Sequence, residues 1–530
     1  MNLNENIVKL LRILILACFV TVLSQSCNDE PIDPSIVNNT DADGDGIDDS
    51  ADNCIAIANP SQDDIDGDGI GDACDSDNDN DGIIDNFDNC PLIANPNQED
   101  SDSDGIGDVC DDDDSDGDGI LDDVDNCPLI ANPDQSDIDT DGIGDVCDDD
   151  FVDPNAPLAY CENGFADVYP CNDYDLMSHL TASDLGAAGL DGNDSWGWTD
   201  SSTGKEYALI CLSNGVSFVD ISNPVLPIYL GRLATATSNS SWRDVKVYNN
   251  YAFVVSEANG HGMQVFDLTR LRNVTNPPET FSADARYTGF GSAHNIVINE
   301  TSGYAYAVGT SRSGTYAGGP LFVNIQNPTS PVAEGGFGGY AHDAQVVTYN
   351  GPDSDYTGKE ILIGSNENEV IIVDVTDKAN PVQISTINYS NIGYTHQGWF
   401  TEDMNYFIVG DELDELNFGG NTRTIVFNFT DLDNPTFHMD YNGSSAAIDH
   451  NGYVNGNTFF QANYTGGVRI IDVTNIGSST MTEVGFFDTY PANNGANFSG
   501  AWNVYPYFPS GNIIISDINR GLFIVRKSGT

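Results

Sequence analysis

The chain has 530 residues, with 83 acidic against 17 basic side chains and a formal net charge of −66. A surface this negative argues against nucleic acid and against direct contact with anionic lipid, and it favours divalent cations. The charge is uneven: residues 41–150 hold 39 Asp or Glu, and no Lys, Arg or His occurs between Cys27 and Asp150.

At the N-terminus Lys9 and Arg12 precede an apolar run over residues 13–23. The run is too short to span a bilayer and has the length of a signal-peptide core. It ends in Leu23-Ser24-Gln25-Ser26-Cys27. A small residue followed by Cys here resembles a lipoprotein signal, which implies cleavage before Cys27 and acylation of its thiol. The competing reading is an ordinary secretory signal with an incidental cysteine. Cys18 also fits locally, but it lies inside the apolar run. No second apolar span follows, so membrane attachment is expected through the N-terminal lipid alone. Residues 1–26 are read as signal and 27–40 as tether. Asn28-Asp29-Glu30 resembles the acidic export tag of some surface lipoproteins.

The pattern D-x-D-x-D-G-x-x-D then occurs six times. Its carboxylates are Asp41, Asp43, Asp45 and Asp49; Asp64, Asp66, Asp68 and Asp72; Asp77, Asp79, Asp81 and Asp85; Asp100, Asp102, Asp104 and Asp108; Asp114, Asp116, Asp118 and Asp122; and Asp137, Asp139, Asp141 and Asp145. Copies one, three and five continue to D-N-C and add Asp52, Asp88 and Asp125 at position 12. Copies two, four and six end in D-x-C and follow Asn-Pro-x-Gln. Alternating carboxylates along a tight loop suit a hard cation that takes six to eight oxygens, namely Ca2+. Glycine at position 6 permits the turn that brings position 9 round, and position 7, always Ile, offers a carbonyl and one of few apolar contacts. With so little to bury, the segment is expected to use bound calcium in place of a core. Cys54 and Cys74, Cys90 and Cys110, and Cys127 and Cys147 lie twenty residues apart. This favours three disulfides in an exported protein, although spacing leaves the connectivity open. Zinc is excluded, because no His and no C-x-x-C occurs here.

These alternating signatures resemble thrombospondin type 3 repeats over residues 41–150, which implies a calcium-dependent array of several ions. Dockerins share the loop but follow it with a helix, which D-N-C-P-L-I-A-N-P does not encode.

Residues 151–195 are read as a strap containing Cys161 and Cys171, expected to pair. From residue 196 short apolar runs bounded by Gly, Asn, Asp and Pro indicate strands. An apolar run ending in Asp or Asn recurs at Asp220, Asn324, Asp374, Asn428 and Asp472, around Asp267, and in degenerate form near Leu522. A strand such as YALICL precedes each copy. Before that comes another, opening at Trp198, Arg243, His294, His342, His396, His450 or Trp502. Seven units of about four strands predict an all-β fold, a seven-bladed β-propeller over residues 196–530. The last unit ends after three strands, so the segment before Trp196 is expected to supply the fourth and close the ring. Cys211 is read as a buried thiol.

The units resemble LVIVD-repeat proteins of the choice-of-anchor B family over residues 157–528. The resemblance rests on Asp175-Leu176-Met177-Ser178-His179-Leu180, the VDIS-NP-type repeats and Ala293-His294-Asn295. It implies a tethered, exported propeller and no particular activity.

The expected role is an exported protein of the bacterial cell envelope, an outer-membrane surface lipoprotein or else extracellular, whose calcium-rigidified stalk presents the propeller for adhesion or ligand binding, with a surface protein or glycan as ligand. The rival is a metalloenzyme. His294, His342, His396 and His450 share one blade position, with Asp244 and Asp343 in the same ring, and imidazoles with carboxylates bind Zn, Cu or Fe. Set against it, a residue repeated at one blade position is often structural. No G-x-S-x-G, P-loop or H-E-x-x-H occurs. The acidic loop over residues 411–415 is read as solvated in preference to a cation site. A third option is a purely structural envelope component.

Overall fold

The polypeptide divides into two units, residues 1–151 and 152–530. The computed structural model describes residues 40–101, 103, 105–111, 114–122, 124–138, 140, 142–148 and 156–530. The signal segment, Cys27, Asp102, Asp104, Asp139 and Asp141 lie outside the described residues.

The first unit contains no helix or strand among its described residues. Side chains organise it instead. In all six loops the position-9 carboxylate accepts the N–H of position 2 at 2.6–2.9 Å. The position-6 glycines all turn at φ between 96 and 99°, a left-handed conformation that a Cβ disfavours. Disulfides join Cys54–Cys74, Cys90–Cys110 and Cys127–Cys147, each stapling an odd loop to the next even one. The Asn-Pro-x-Gln signature has a clear role: Gln62, Gln98 and Gln135 donate to the position-12 carboxylates Asp52, Asp88 and Asp125 at 2.7–2.9 Å. Only Gly fits at position 8 of the even copies, since a Cβ on Gly71 would sit 2.4 Å from Asn53 Oδ1. The position-7 isoleucines divide: Ile47, Ile83 and Ile120 in the odd copies are half-buried, in line with expectation, whereas Ile70, Ile106 and Ile143 in the even copies are 44–46% exposed, because no apolar layer among the described residues covers them.

The second unit is a seven-bladed propeller. Its innermost strands are Gly192–Thr199, Arg243–Tyr248, Asn295–Asn299, Asp343–Thr348, Thr395–Phe400, Gly452–Asn455 and Ala501–Tyr505, for blades 1 to 7. Each touches the next round a closed ring, the last touching the first. The recurring Asp or Asn ends the third strand of a blade. In six blades its Oδ1 accepts the N–H two residues on, from Ser222, Thr269, Gln326, Thr376, Thr430 and Thr474, at 2.8–3.0 Å. These are Asx turns that start the link to the outer strand. The buried faces of adjacent blades interlock: Ile361 and Ile372 of blade 4 pack with Phe407, Phe427 and Phe429 of blade 5.

Ring closure follows expectation. Tyr174–Leu180 pairs antiparallel with Gly521–Lys527 as the outermost strand of blade 7. Residues before it do more than strap: Tyr169–Asn172 extends the outer edge of blade 6, with Cys171 opposite Phe487 and bonded to Cys161. Two expectations are corrected. The first inner strand begins at Gly192, ahead of Trp196, and Trp198 is not the counterpart of the histidines. Trp198 lies near the strand's far end, opposite and stacked on Tyr207. Asn193 takes the histidine-equivalent place. Its Oδ1 accepts the Arg243 N–H.

Candidate functional site

The carboxylate loops converge as the spacing implied. In the four loops whose first, third and fifth positions are all described, those carboxylates each bring an oxygen within 4.8 Å of the others. Asp43, Asp66, Asp79 and Asp116 at position 3, and Asp88 and Asp125 at position 12, each carry a buried oxygen with no hydrogen-bond donor. Partial burial first, then neighbouring carboxylates including position 12, raises the pKa of Asp43, Asp79 and Asp116. Inward-turned, mutually repelling carboxylate oxygens with no basic side chain nearby are the donor set of a hard divalent cation, so calcium fits these residues.

In the propeller, four histidines stand side by side at the channel mouth. Ring centroids are 4.1 Å apart for His294 and His342, 4.6 Å for His342 and His396, and 4.3 Å for His396 and His450. Trp502 continues the arc, 4.5 Å from His450. Three of the rings are held by Nδ1. His450 Nδ1 meets the Trp502 carbonyl at 2.7 Å, His294 Nδ1 meets Glu257 Oε1 at 2.7 Å, and His342 Nδ1 meets the Tyr394 hydroxyl at 2.9 Å. A carbonyl only accepts, so His450 Nδ1 donates and its Nε2 is bare. Glu412 reaches into the arc: its carboxylate lies 3.8 Å from both His396 Nε2 and His450 Nε2 and accepts the Tyr464 hydroxyl at 2.6 Å. Burial, then neighbouring imidazoles, holds His342 and His396 well below the usual histidine range; burial lowers His450 to about 3 and raises Glu412. Burial thus favours the neutral imidazole at His342, His396 and His450.

Asp244 lines one small cavity with His294, His396 and His450, but, contrary to expectation, the carboxylates of Asp244 and Asp343 are engaged elsewhere and not with the imidazoles. Asp244 Oδ1 pairs with Lys246 and its Oδ2 accepts the Ile296 N–H, while Asp343 accepts the Ala344 N–H. Both follow the arc in sequence and belong to a buried polar layer of the channel. The carboxylates at the histidines are Glu257, against His294, and Glu412, from the loop expected to be solvated. The rest of that loop is also engaged: Asp411 accepts from Tyr389, Gly393 and Tyr394, and Asp414 pairs with Arg423. Glu257 and Glu412 each directly follow the second strand of their blade, a regularity visible in the sequence.

Family models match residues 37–62, 63–98 and 99–135 as thrombospondin type 3 repeats, and 204–235, 241–267 and 358–388 as LVIVD repeats. This chain carries thrombospondin type 3 repeats and an LVIVD-repeat propeller. No curated protein matches it. Among solved structures it is similar to hydrazine synthase of Kuenenia stuttgartiensis, at 12% identity over 67% of this chain and 99% of that one, with a TM-score of 0.46. It is also similar to a protein from Lactobacillus plantarum, at 13% identity over 62% and 87%, with a TM-score of 0.40. Likeness at this level carries no argument about chemistry.

The LVIVD propeller also holds a cavity of about 440 Å³, lined by Trp196, Trp399, Tyr453, Val347, Lys246 and Asp343 among others. Aromatic walls with a few polar groups suit a small or extended ligand. Beside it, Asp194 takes hydrogen bonds from Asn451 and Asn503. Asp343 is pushed up to about 7, by burial above all. A carboxyl whose folded pKa exceeds its unfolded value of 3.8 stabilises the fold fully below pH 3.8, and that contribution is lost as pH rises to about 7. Asp343→Asn is therefore expected to raise the thermal midpoint at pH 8 and leave it nearly unchanged at pH 4, with a gain on the order of 2–4 kcal/mol. Equal midpoints at pH 8 would contradict this assignment. Cys211 is buried and free, as expected.

Proposed function

We propose that this is an exported, lipid-anchored, calcium-loaded surface protein whose propeller binds a protein or glycan ligand. The observation that carries the reading is the pairing of unpartnered carboxylate loops with an aromatic-walled channel cavity in the propeller. Thrombospondin type 3 repeats and four disulfides among the described residues support an extracellular setting. No helix among the described residues is long and apolar enough to cross a membrane; the proposed attachment is the acylated thiol of Cys27, suggested by the small residue before it at the end of the apolar run.

The test uses the full chain produced with its leader and kept in calcium. Cys27→Ser is expected to move the protein from the detergent phase to the aqueous phase. On protein and glycan arrays the wild type is expected to retain a ligand, and Trp399→Ala to weaken it about 10-fold or more, through loss of an aromatic contact. Unchanged partition defeats the anchor. An empty array, or retention indifferent to Trp399→Ala, defeats the channel as the binding surface.

A further inference from the structure

We propose that His342, His396, His450 and Glu412 bind one divalent transition-metal ion at the mouth of the propeller channel, separate from the calcium loops. His342, His396 and Glu412 bring one donor atom each within 4.8 Å of one another. His450 Nε2 stands 3.8 Å from Oε1 of Glu412, and His396 Nε2 stands 3.8 Å from Oε2, so the carboxylate lies between two imidazoles.

Three features separate this cluster from ordinary structural histidines. The first is unspent bonding capacity. His342 Nε2 is buried with no hydrogen-bond partner, and His342 is only 7% exposed. A buried ring nitrogen left without a partner is a destabilising feature that a bound ion removes. His261 in the same propeller shows the alternative: it is fully buried, its Nδ1 meets the Gly262 carbonyl and its Nε2 meets Arg243.

The second is orientation. His450 donates Nδ1–H to a carbonyl and His342 Nδ1 meets a tyrosine hydroxyl. The carbonyl fixes the His450 tautomer and leaves its Nε2 free for a metal, the tyrosine hydroxyl orients the His342 ring, and such outer contacts are a regular part of metal sites. Tyr464 holds Glu412 in the same way.

The third is access. Glu412 lines a second opening of about 360 Å³, shared with Tyr464, Phe498, Trp242 and Trp502. An ion thus has an entry path. Imidazoles with one carboxylate form a donor set for Zn2+, Fe2+ or Cu2+, and not for Ca2+, which takes oxygen alone.

The experiment is performed on the full-length, disulfide-intact chain in excess calcium. The protein is stripped with chelator, recalcified, loaded with Zn2+, Cu2+ or Fe2+ in turn, passed through a desalting column and analysed for metals. The wild type is expected to retain about one equivalent of at least one of these ions. His396→Ala and Glu412→Gln are each expected to retain less than about a tenth of that, whereas His438→Ala, outside the channel arc, retains it all. Circular dichroism verifies the fold. If His396→Ala fails to fold, Glu412→Gln alone decides, since it keeps the side-chain volume. Co2+ loading gives a second readout: visible d–d bands of imidazole-bound cobalt in the wild type, lost in Glu412→Gln. Absence of a retained ion in the wild type, or retention by either folded variant, overturns the proposal.

Discussion

Removal of calcium is expected to unfold residues 40–148 and leave the propeller standing. The repeat unit has no strand or helix among its described residues, and its isoleucines, leucines and valines are largely exposed, as at Ile57, Leu92, Val124 and Leu129. Burial therefore contributes little to its stability. Its carboxylates crowd inward, with buried oxygens lacking donors at Asp43, Asp66, Asp79 and Asp116. Without a cation these oxygens repel one another. Each saturated site contributes about 2.7 kcal/mol at a calcium concentration 100 times its dissociation constant, and six loops make the sum large. Protease digestion with and without chelator tests it. Cleavage is expected to spread through the repeats, while the strand signature of the propeller in circular dichroism is unchanged. Equal resistance in both conditions would sink the idea that calcium organises this unit. The pH dependence has a definite sign. Raised carboxyls such as Asp43, Asp79 and Asp116 favour the calcium-free fold only in acid, and that help disappears as pH rises through their raised values. Calcium competes with the same protons, so its affinity falls as pH drops toward that range.

Leu176→Asp is expected to open the ring and destabilise the propeller by more than about 5 kcal/mol. Leu176 is fully buried, faces Val525 across the closing pair, and packs in a cluster with Phe523, Val525 and Ile513. Truncating such a side chain alone costs about 2–5 kcal/mol, and an unpaired buried carboxylate adds several more. The consequence extends beyond one strand, because among the described residues Tyr174–Leu180 alone pairs with the outer edge of Gly521–Lys527. Losing it exposes a sheet edge and frees blade 7 from the chain's other end. Thermal unfolding followed by circular dichroism should show a large drop in midpoint. The control Leu226→Asp, at a position 62% exposed, should stay within about 0.5 kcal/mol. A midpoint for Leu176→Asp close to that of the control would mean that this strand does not close the propeller.

Much of the architecture was legible because it rests on local chemistry. Six D-x-D-x-D-G loops, the twenty-residue cysteine spacing and the position-6 glycines concern side chains within one turn of one another, where spacing dictates geometry. The blades were legible for a related reason. Period-two apolar strands end in Asp or Asn, whose side chain starts the next turn wherever it occurs, and a final unit one strand short called for its partner near the other end of the chain. The four histidines were visible as one recurring blade position.

The channel was not legible to the same depth. Strand order alone aligns Trp198 with the histidines, yet register places it near the far end of its strand, opposite Tyr207. The carboxylates at the next place of the blade repeat, Asp244 after Arg243 and Asp343 after His342, engage Lys246 and the backbone N–H groups of Ile296 and Ala344, because successive residues of an extended segment point in opposite directions. Glu412, read as part of a solvated loop, arrived among His396 and His450 only through the fold of the chain after a second strand. The sequence by itself thus determined the calcium loops, the spacing of their cysteines and the number and closure of blades, since each depends on neighbours along the chain; the pairing of those cysteines came with the structure. Which side chains meet at the channel mouth was decided only in three dimensions, by seven inner strands whose register and ring closure bring together residues about fifty positions apart in neighbouring blades.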